Sequence, residues 1–145
     1  MNATAEKFGY PDTLICEYEH WLVLLREQQV TLGSLVLVCK EPATRFSDVS
    51  REAFAELHDA IGAIEHTLGA QYQYDKINYL MLMMVDPDVH YHVIPRYASA
   101  RECAGCEVAD GGWPGPPALG EFVNLPASAQ QQLITDLQLA WAQSG

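Results

Sequence analysis

Ile77-Asn-Tyr-Leu-Met-Leu-Met-Met-Val-Asp-Pro-Asp-Val-His-Tyr-His-Val-Ile-Pro-Arg-Tyr97 is the stretch whose reading decides the fold. Its second half alternates: Asp88, His90 and His92 are separated by Val89 and Tyr91, and Val93 follows. Side chains two apart on a strand share a face, roughly 7 Å from one another. Val89, Tyr91 and Val93 are therefore expected to pack inward, with Asp88, His90 and His92 in a row on the opposite face. Leu80 to Met84 is apolar at every position, which predicts a strand buried on both faces at the centre of a sheet. Asp86-Pro87 then breaks the ladder, because proline cannot donate and its predecessor is pushed out of the helical region. Two strands joined by a short breaker predict an antiparallel hairpin.

The pattern extends upstream. His20 to Leu25 reads as a strand, and Val30 to Lys40 as the next, with Leu35-Val-Leu-Val38 as its core and Gly33 marking a bulge or a close backbone approach. Ser50 stands where a helix N-cap belongs, with Glu52 in the first turn. Phe54, Leu57, Ile61, Ile64 and Leu68 then recur at spacings of three and four, which predicts a helix with one buried stripe ending near Gly69. Residues 98–127 hold half of the chain's glycine and proline and read as a long loop anchored by Trp113 and Phe122. Ser128-Ala-Gln-Gln131 reads as a capping box opening a C-terminal helix over 128–142, through Leu133, Leu137 and Trp141. Residues 1–13 are polar with Gly9 and Pro11 and read as a loosely held entry segment. The order predicts a single α+β domain over 1–145, a mostly antiparallel five-stranded sheet with a long helix on one face.

With 145 residues, 49% hydrophobic and 19% charged, the chain has material for one packed core. No window approaches eighteen apolar residues, so no membrane span is expected. The N-terminus lacks the basic-then-apolar pattern of a secretory leader, and four cysteines do not make a disulfide framework, so a cytoplasmic location is expected. A formal charge of −11, from 8 Lys+Arg against 19 Asp+Glu, argues against nucleic acid as a partner. A small anion remains compatible, because a few focused donors hold one in a pocket whatever the global sign.

Val89-His-Tyr-His-Val-Ile-Pro-Arg96 resembles the motif of the histidine-triad superfamily of nucleotide hydrolases and transferases, His-φ-His-φ-His-φ-φ with φ apolar. The Pro-Arg that follows resembles the fragile-histidine-triad and diadenosine-polyphosphate-hydrolase branch. Thr31-Leu-Gly-Ser-Leu-Val-Leu-Val38, the helix after it and the final strand pair match the family's element order, so the likeness covers roughly residues 18–97. Trp113-Pro-Gly-Pro116 resembles a loop of an atypical bacterial branch. The resemblance implies that His90 is the nucleophile, attacking an α-phosphorus to give a nucleotidyl-histidine that water hydrolyses, and that His92 contacts the phosphate. A neutral imidazole suits this chemistry near pH 7, provided that a backbone carbonyl fixes its tautomer. It further implies substrate roles around Asp88, Ser34, Arg26, Asn78 and Arg96, no cofactor, and a homodimer that extends the sheet; Arg96 reads equally well as the partner of a surface acid.

This chain departs from the family at named positions. Asp88 replaces the first histidine, Ser34 stands where many relatives have another, Arg26 falls where Asp or Asn often holds the ribose, and the Gly-Gln loop before the motif is missing. A carboxylate at position 88 needs Arg26, Arg96 or a metal beside it to tolerate a phosphate. Two other readings therefore stand beside the enzyme. One is a nucleotide-binding protein with weak or no turnover. The other is a metal-dependent enzyme using Asp88, His90 and His92. Cys103-Ala-Gly-Cys106 has zinc-like or redox-like spacing but no matching second pair. Met81, Met83 and Met84 read as core filler, and His20, His58 and His66 as structural or exposed.

Overall fold

The computed structural model describes residues 2–144, with the side chain of Ser144 left aside. It contains α1 (Ala3–Lys7), β1 (Leu14–Glu17), β2 (Trp21–Leu25), β3 (Gln28–Gln29), β4 (Leu35–Cys39), α2 (Arg51–Tyr72), β5 (Lys76–Leu80), β6 (His90–Arg96), β7 (Arg101–Cys103), β8 (Cys106–Val108), β9 (Val123–Asn124) and α3 (Ala127–Ser144). Five strands form one antiparallel sheet in the order β1-β2-β4-β6-β5, and β3-β9 and β7-β8 form two small ladders beside it. The α+β class and the antiparallel sheet agree with the sequence. Among the described residues, no helix is long and apolar enough to cross a membrane.

Alternation sets the two faces of the sheet. Trp21, Val23 and Leu25 of β2 and Leu35, Leu37 and Cys39 of β4 join Val93 in the larger core, against the buried stripe of α2 formed by Ala53, Leu57, Ile64, Leu68 and Tyr72. The Trp21 indole donates to the Ala53 carbonyl at 2.7 Å, tying β2 to α2. Phe54, expected in that stripe, is 39% exposed and lies against Phe46 instead. Leu22, Leu24, Val36 and Val38 point the other way, into a smaller cluster with Ala5 and half-buried Phe8, Tyr10 and Leu14. Val36 pairs with His92 and Val38 with His90, so both histidines stand on this second face. The strand expected from Val30 is shorter: 30–34 is a buried turn with Gly33 at φ +87°, where a Cβ would come within 3.0 Å of the Tyr72 ring. That is the close approach the glycine signals.

Four expectations need correction. β5 is an edge strand rather than a central one, and the apolar run beyond it is not buried: Leu82, Met84 and Val85 are 47%, 85% and 81% exposed. Apolar residues at every position reflect a surface connection here, not two covered faces. Residues 2–13 are not a loose entry but a helix and turn packed on the histidine face, with Thr4 and Ala5 buried. The 98–127 loop is partly structured, for Cys103 and Cys106 face each other across a hairpin whose turn residues Ala104 (φ 52°) and Gly105 (φ 79°) are left-handed. Its anchor is not Phe122, which is 38% exposed, but Asp110. The last helix starts at Ala127, so Ser128 lies inside its first turn rather than capping it, while Leu133, Leu137 and Trp141 are buried as their spacing requires.

Candidate active site

β6 positions the two histidines by its pleat alone. Their ring centroids are 5.3 Å apart and nearly perpendicular, at 81°. His90 is 2% exposed and His92 8%. The Nδ1 of His90 lies 2.7 Å from the Asp88 carbonyl oxygen. A carbonyl only accepts, so Nδ1 carries the hydrogen, and in the neutral ring the lone pair sits on Nε2. This is the tautomer that a nucleophile requires, fixed by main chain that any residue at position 88 supplies.

His92 differs. Its Nδ1 is buried with no hydrogen-bond partner among the described residues. Burial, then the charge of Arg26, then His90, pull its pKa from 6.5 down to about 4, against a smaller upward pull from Asp86. At neutral pH His92 is an uncharged ring with an unused polar atom.

Phe8 covers both rings, with centroids 6.0 Å from His90 and 5.7 Å from His92. Beside it opens a cavity of about 300 Å³ lined by Lys7, Phe8, Arg26, Glu27, Gln28 and Asn124. Burial lowers the pKa of Arg26. Its Nη1 donates to the Gln28 carbonyl at 2.6 Å, while its buried Nε has no partner among the described residues. Two basic groups, one of them already paired with Asp86, an acidic Glu27, an aromatic ring and amide side chains line this space, which neither histidine lines.

The remaining sequence candidates are held elsewhere. The Asp88 carboxylate accepts from the Thr4 amide at 3.1 Å, and the Asp88 amide donates to Thr4 Oγ1 at 3.2 Å. Position 88 is thus joined to the start of α1, and not to Arg26 or Arg96. The Ser34 hydroxyl donates to the Thr31 carbonyl at 2.8 Å and accepts from the Thr31 amide at 3.0 Å, which closes the turn before β4. Arg96 holds Asp110 in a two-pronged pair, at 2.7 and 3.0 Å, and donates to the Gly115 carbonyl and to Asn78 Oδ1. Arg96 and Asn78 therefore fasten the long loop to the sheet and do not join the histidines. Burial raises the Asp110 carboxyl, but hydrogen bonds from Arg96 and from the Tyr97 and Gly112 amides outweigh it and leave it below its ordinary value.

Asp88, His90 and His92 do not bring their ligand atoms together. Among the described residues the one group of His, Cys, Asp and Glu side chains that does is Glu19, His20 and Glu56, which belongs to a different part of the molecule. Lys7, Phe8, Gln28 and Asn124 were not legible as site residues. The one available signal was Phe8 and Tyr10, two aromatics in a polar segment that need somewhere to be buried.

A family model described as HIT domain matches residues 7–99, well over half of the chain. No curated protein matches the sequence. Among solved structures, a histidine triad protein from Bradyrhizobium japonicum is 21% identical, with a TM-score of 0.74 over 97% of this chain and 96% of that one. Another from Marinobacter aquaeolei is 23% identical, with a TM-score of 0.74 over 97% and 96%. A third, from Sinorhizobium meliloti, is 18% identical, with a TM-score of 0.75 over 97% and 95%. At these identities the likeness is one of fold.

Proposed function

We propose that this chain, which belongs to the HIT domain family, acts on a nucleoside phosphate of the dinucleoside polyphosphate or nucleoside phosphoramidate class through a covalent intermediate on His90. The observation that carries the reading is the 2.7 Å contact between His90 Nδ1 and the Asp88 carbonyl, which leaves Nε2 as the free nucleophile. Nε2 attacks the α-phosphorus, a P–N bond forms, and the bond to the leaving group breaks. Water then attacks the same phosphorus, the P–N bond breaks, and the mononucleotide leaves with the ring neutral again. His92, uncharged and beside it, donates its ring N–H to a phosphate oxygen. The cavity at Arg26, Gln28 and Asn124 takes the nucleoside portion. The protein works as a homodimer in the cytoplasm, within the fragile-histidine-triad-like branch, and Asp88 is a substitution at that branch's first histidine.

A second reading, nucleotide binding with little turnover, is favoured by a specific observation: Phe8 lies across both rings, and Ser34 and Asp88 are engaged away from the cavity. Turnover of diadenosine polyphosphates and adenosine phosphoramidate by the wild type and by His90→Ala separates the two. The enzyme reading expects product from the wild type and essentially none from His90→Ala. Equal rates sink it, and AMP binding without any turnover selects the second reading.

A further inference from the structure

The segment before β1 is built onto the histidine face at several independent points. Asn2 Nδ2 donates to the Cys39 carbonyl at 2.8 Å while its Oδ1 caps α1 through the Ala5 amide at 2.9 Å. Thr4 and Asp88 exchange two hydrogen bonds across 84 residues of sequence. Lys7 Nζ pairs with Asp86 at 2.9 Å. Thr13 Oγ1 donates to the Phe8 carbonyl at 2.7 Å and closes the turn that follows. Between these ties Phe8 lies beside the two imidazoles, tilted to His90 and edge-on to His92. His90 is 2% exposed, so a phosphorus atom reaches the ring only when a neighbouring group moves, and Phe8 is an aromatic beside it. Lys7 and Arg26 line the same cavity, two cations beside Glu27 in a chain of net charge −11.

We propose that residues 2–13 are a movable wall of the active site, that Asp88 is the positioning residue that seats this wall, and that Lys7 is a phosphate-binding residue carried on it. The first histidine of the family motif is then not simply lost. Its backbone carbonyl still orients His90, and its side chain has become the latch for a segment that delivers a cation of its own. On substrate entry Phe8 swings off the rings, and Lys7 exchanges the Asp86 carboxylate for a phosphate oxygen. The role of Lys7 rests on the nucleotide reading above; the covering of the histidines does not.

Two measurements on the full chain test this separately. The first is the rate at which diethyl pyrocarbonate acylates the His90/His92 peptide, referred to exposed His58 in the same molecule. Asp88→Ala and Phe8→Ala are each expected to raise that rate about tenfold, a shift of the size that losing one capping contact produces, with Asp88→Asn near wild type because its side-chain oxygen still accepts from the Thr4 amide. Unchanged rates in both Asp88→Ala and Phe8→Ala overturn the wall, whatever nucleotides do. The second is calorimetry with AMP and with adenosine. Lys7→Gln is expected to weaken AMP about fivefold, the scale of a half-exposed ion pair, with adenosine unaffected and Lys7→Arg restoring AMP. Equal loss for AMP and adenosine overturns the phosphate role. Absence of AMP binding to the wild type, with the acylation result intact, overturns the nucleotide reading and Lys7's part in it while the wall stands.

Discussion

His92 is buried as a neutral ring, and this makes stability depend on pH in a defined direction. In the unfolded chain it takes up a proton near its ordinary 6.5, whereas in the fold burial and the Arg26 charge hold it off until about 4. Between those values the unfolded state binds more protons, so stability is fully present above about pH 6.5, falls as pH drops through the window, and levels off below 4. The full shift corresponds to about 3 kcal/mol. Urea midpoints of the wild type and His92→Gln, compared from pH 8 down to pH 4, should converge as the pH falls. Parallel curves would show that His92 is not the group responsible. His90, its neighbour on the same face, has a ring nitrogen satisfied by the Asp88 carbonyl. The same strand thus presents one ring oriented by a backbone carbonyl and one whose buried Nδ1 has no partner among the described residues, the difference on which the proposed roles rest.

At the scale of elements, the long loop is held to the sheet through one buried ion pair. Arg96 on β6 is about 5% exposed and Asp110 about 1%, and the guanidinium also reaches the Gly115 carbonyl. Asp110→Ala leaves that guanidinium buried without its carboxylate, a loss of about 3–5 kcal/mol. Chemical denaturation measures it, and a change under about 1 kcal/mol would mean that the loop is held by something else. Sequence alone reads β2, β4, β6 and α2 well, because their residues repeat at the periods of pleat and helix and each buries its own apolar side. It fails where an element is held by distant partners. α1 is five residues long and depends on Asp88, which lies 84 positions away. β7 and β8 are three residues each, too short for any period to show. The row of histidines was legible from alternation. Their cover was not, since nothing local in 2–13 says which face it will lie on. Arg96 could not be decided for the same reason: an arginine after the motif looks the same in sequence whether its partner is a phosphate or Asp110.

At the scale of the whole molecule, the two edges of the sheet are unequal. β1 is flanked by α3, whereas β5 ends the sheet on the other side and leads into exposed Leu82, Met84 and Val85. An unpaired strand edge next to exposed apolar side chains is a surface suited to pairing with another strand or subunit. The homodimer proposed above would bring a second copy's β5 to this edge about a two-fold axis, so that the same apolar residues face one another. Light scattering of the purified wild type is expected to give twice the chain mass. Leu82→Glu with Met84→Glu places two carboxylates opposite their symmetry mates and is expected to give the single-chain mass, with the urea midpoint lowered because the β5 edge returns to water. Both substitutions lie beyond the end of β5, on side chains that are already exposed in the single chain, so folding of the monomer does not depend on them. A wild type that scatters as one chain at high concentration, or a double variant that still scatters as two, rules out this edge as the contact.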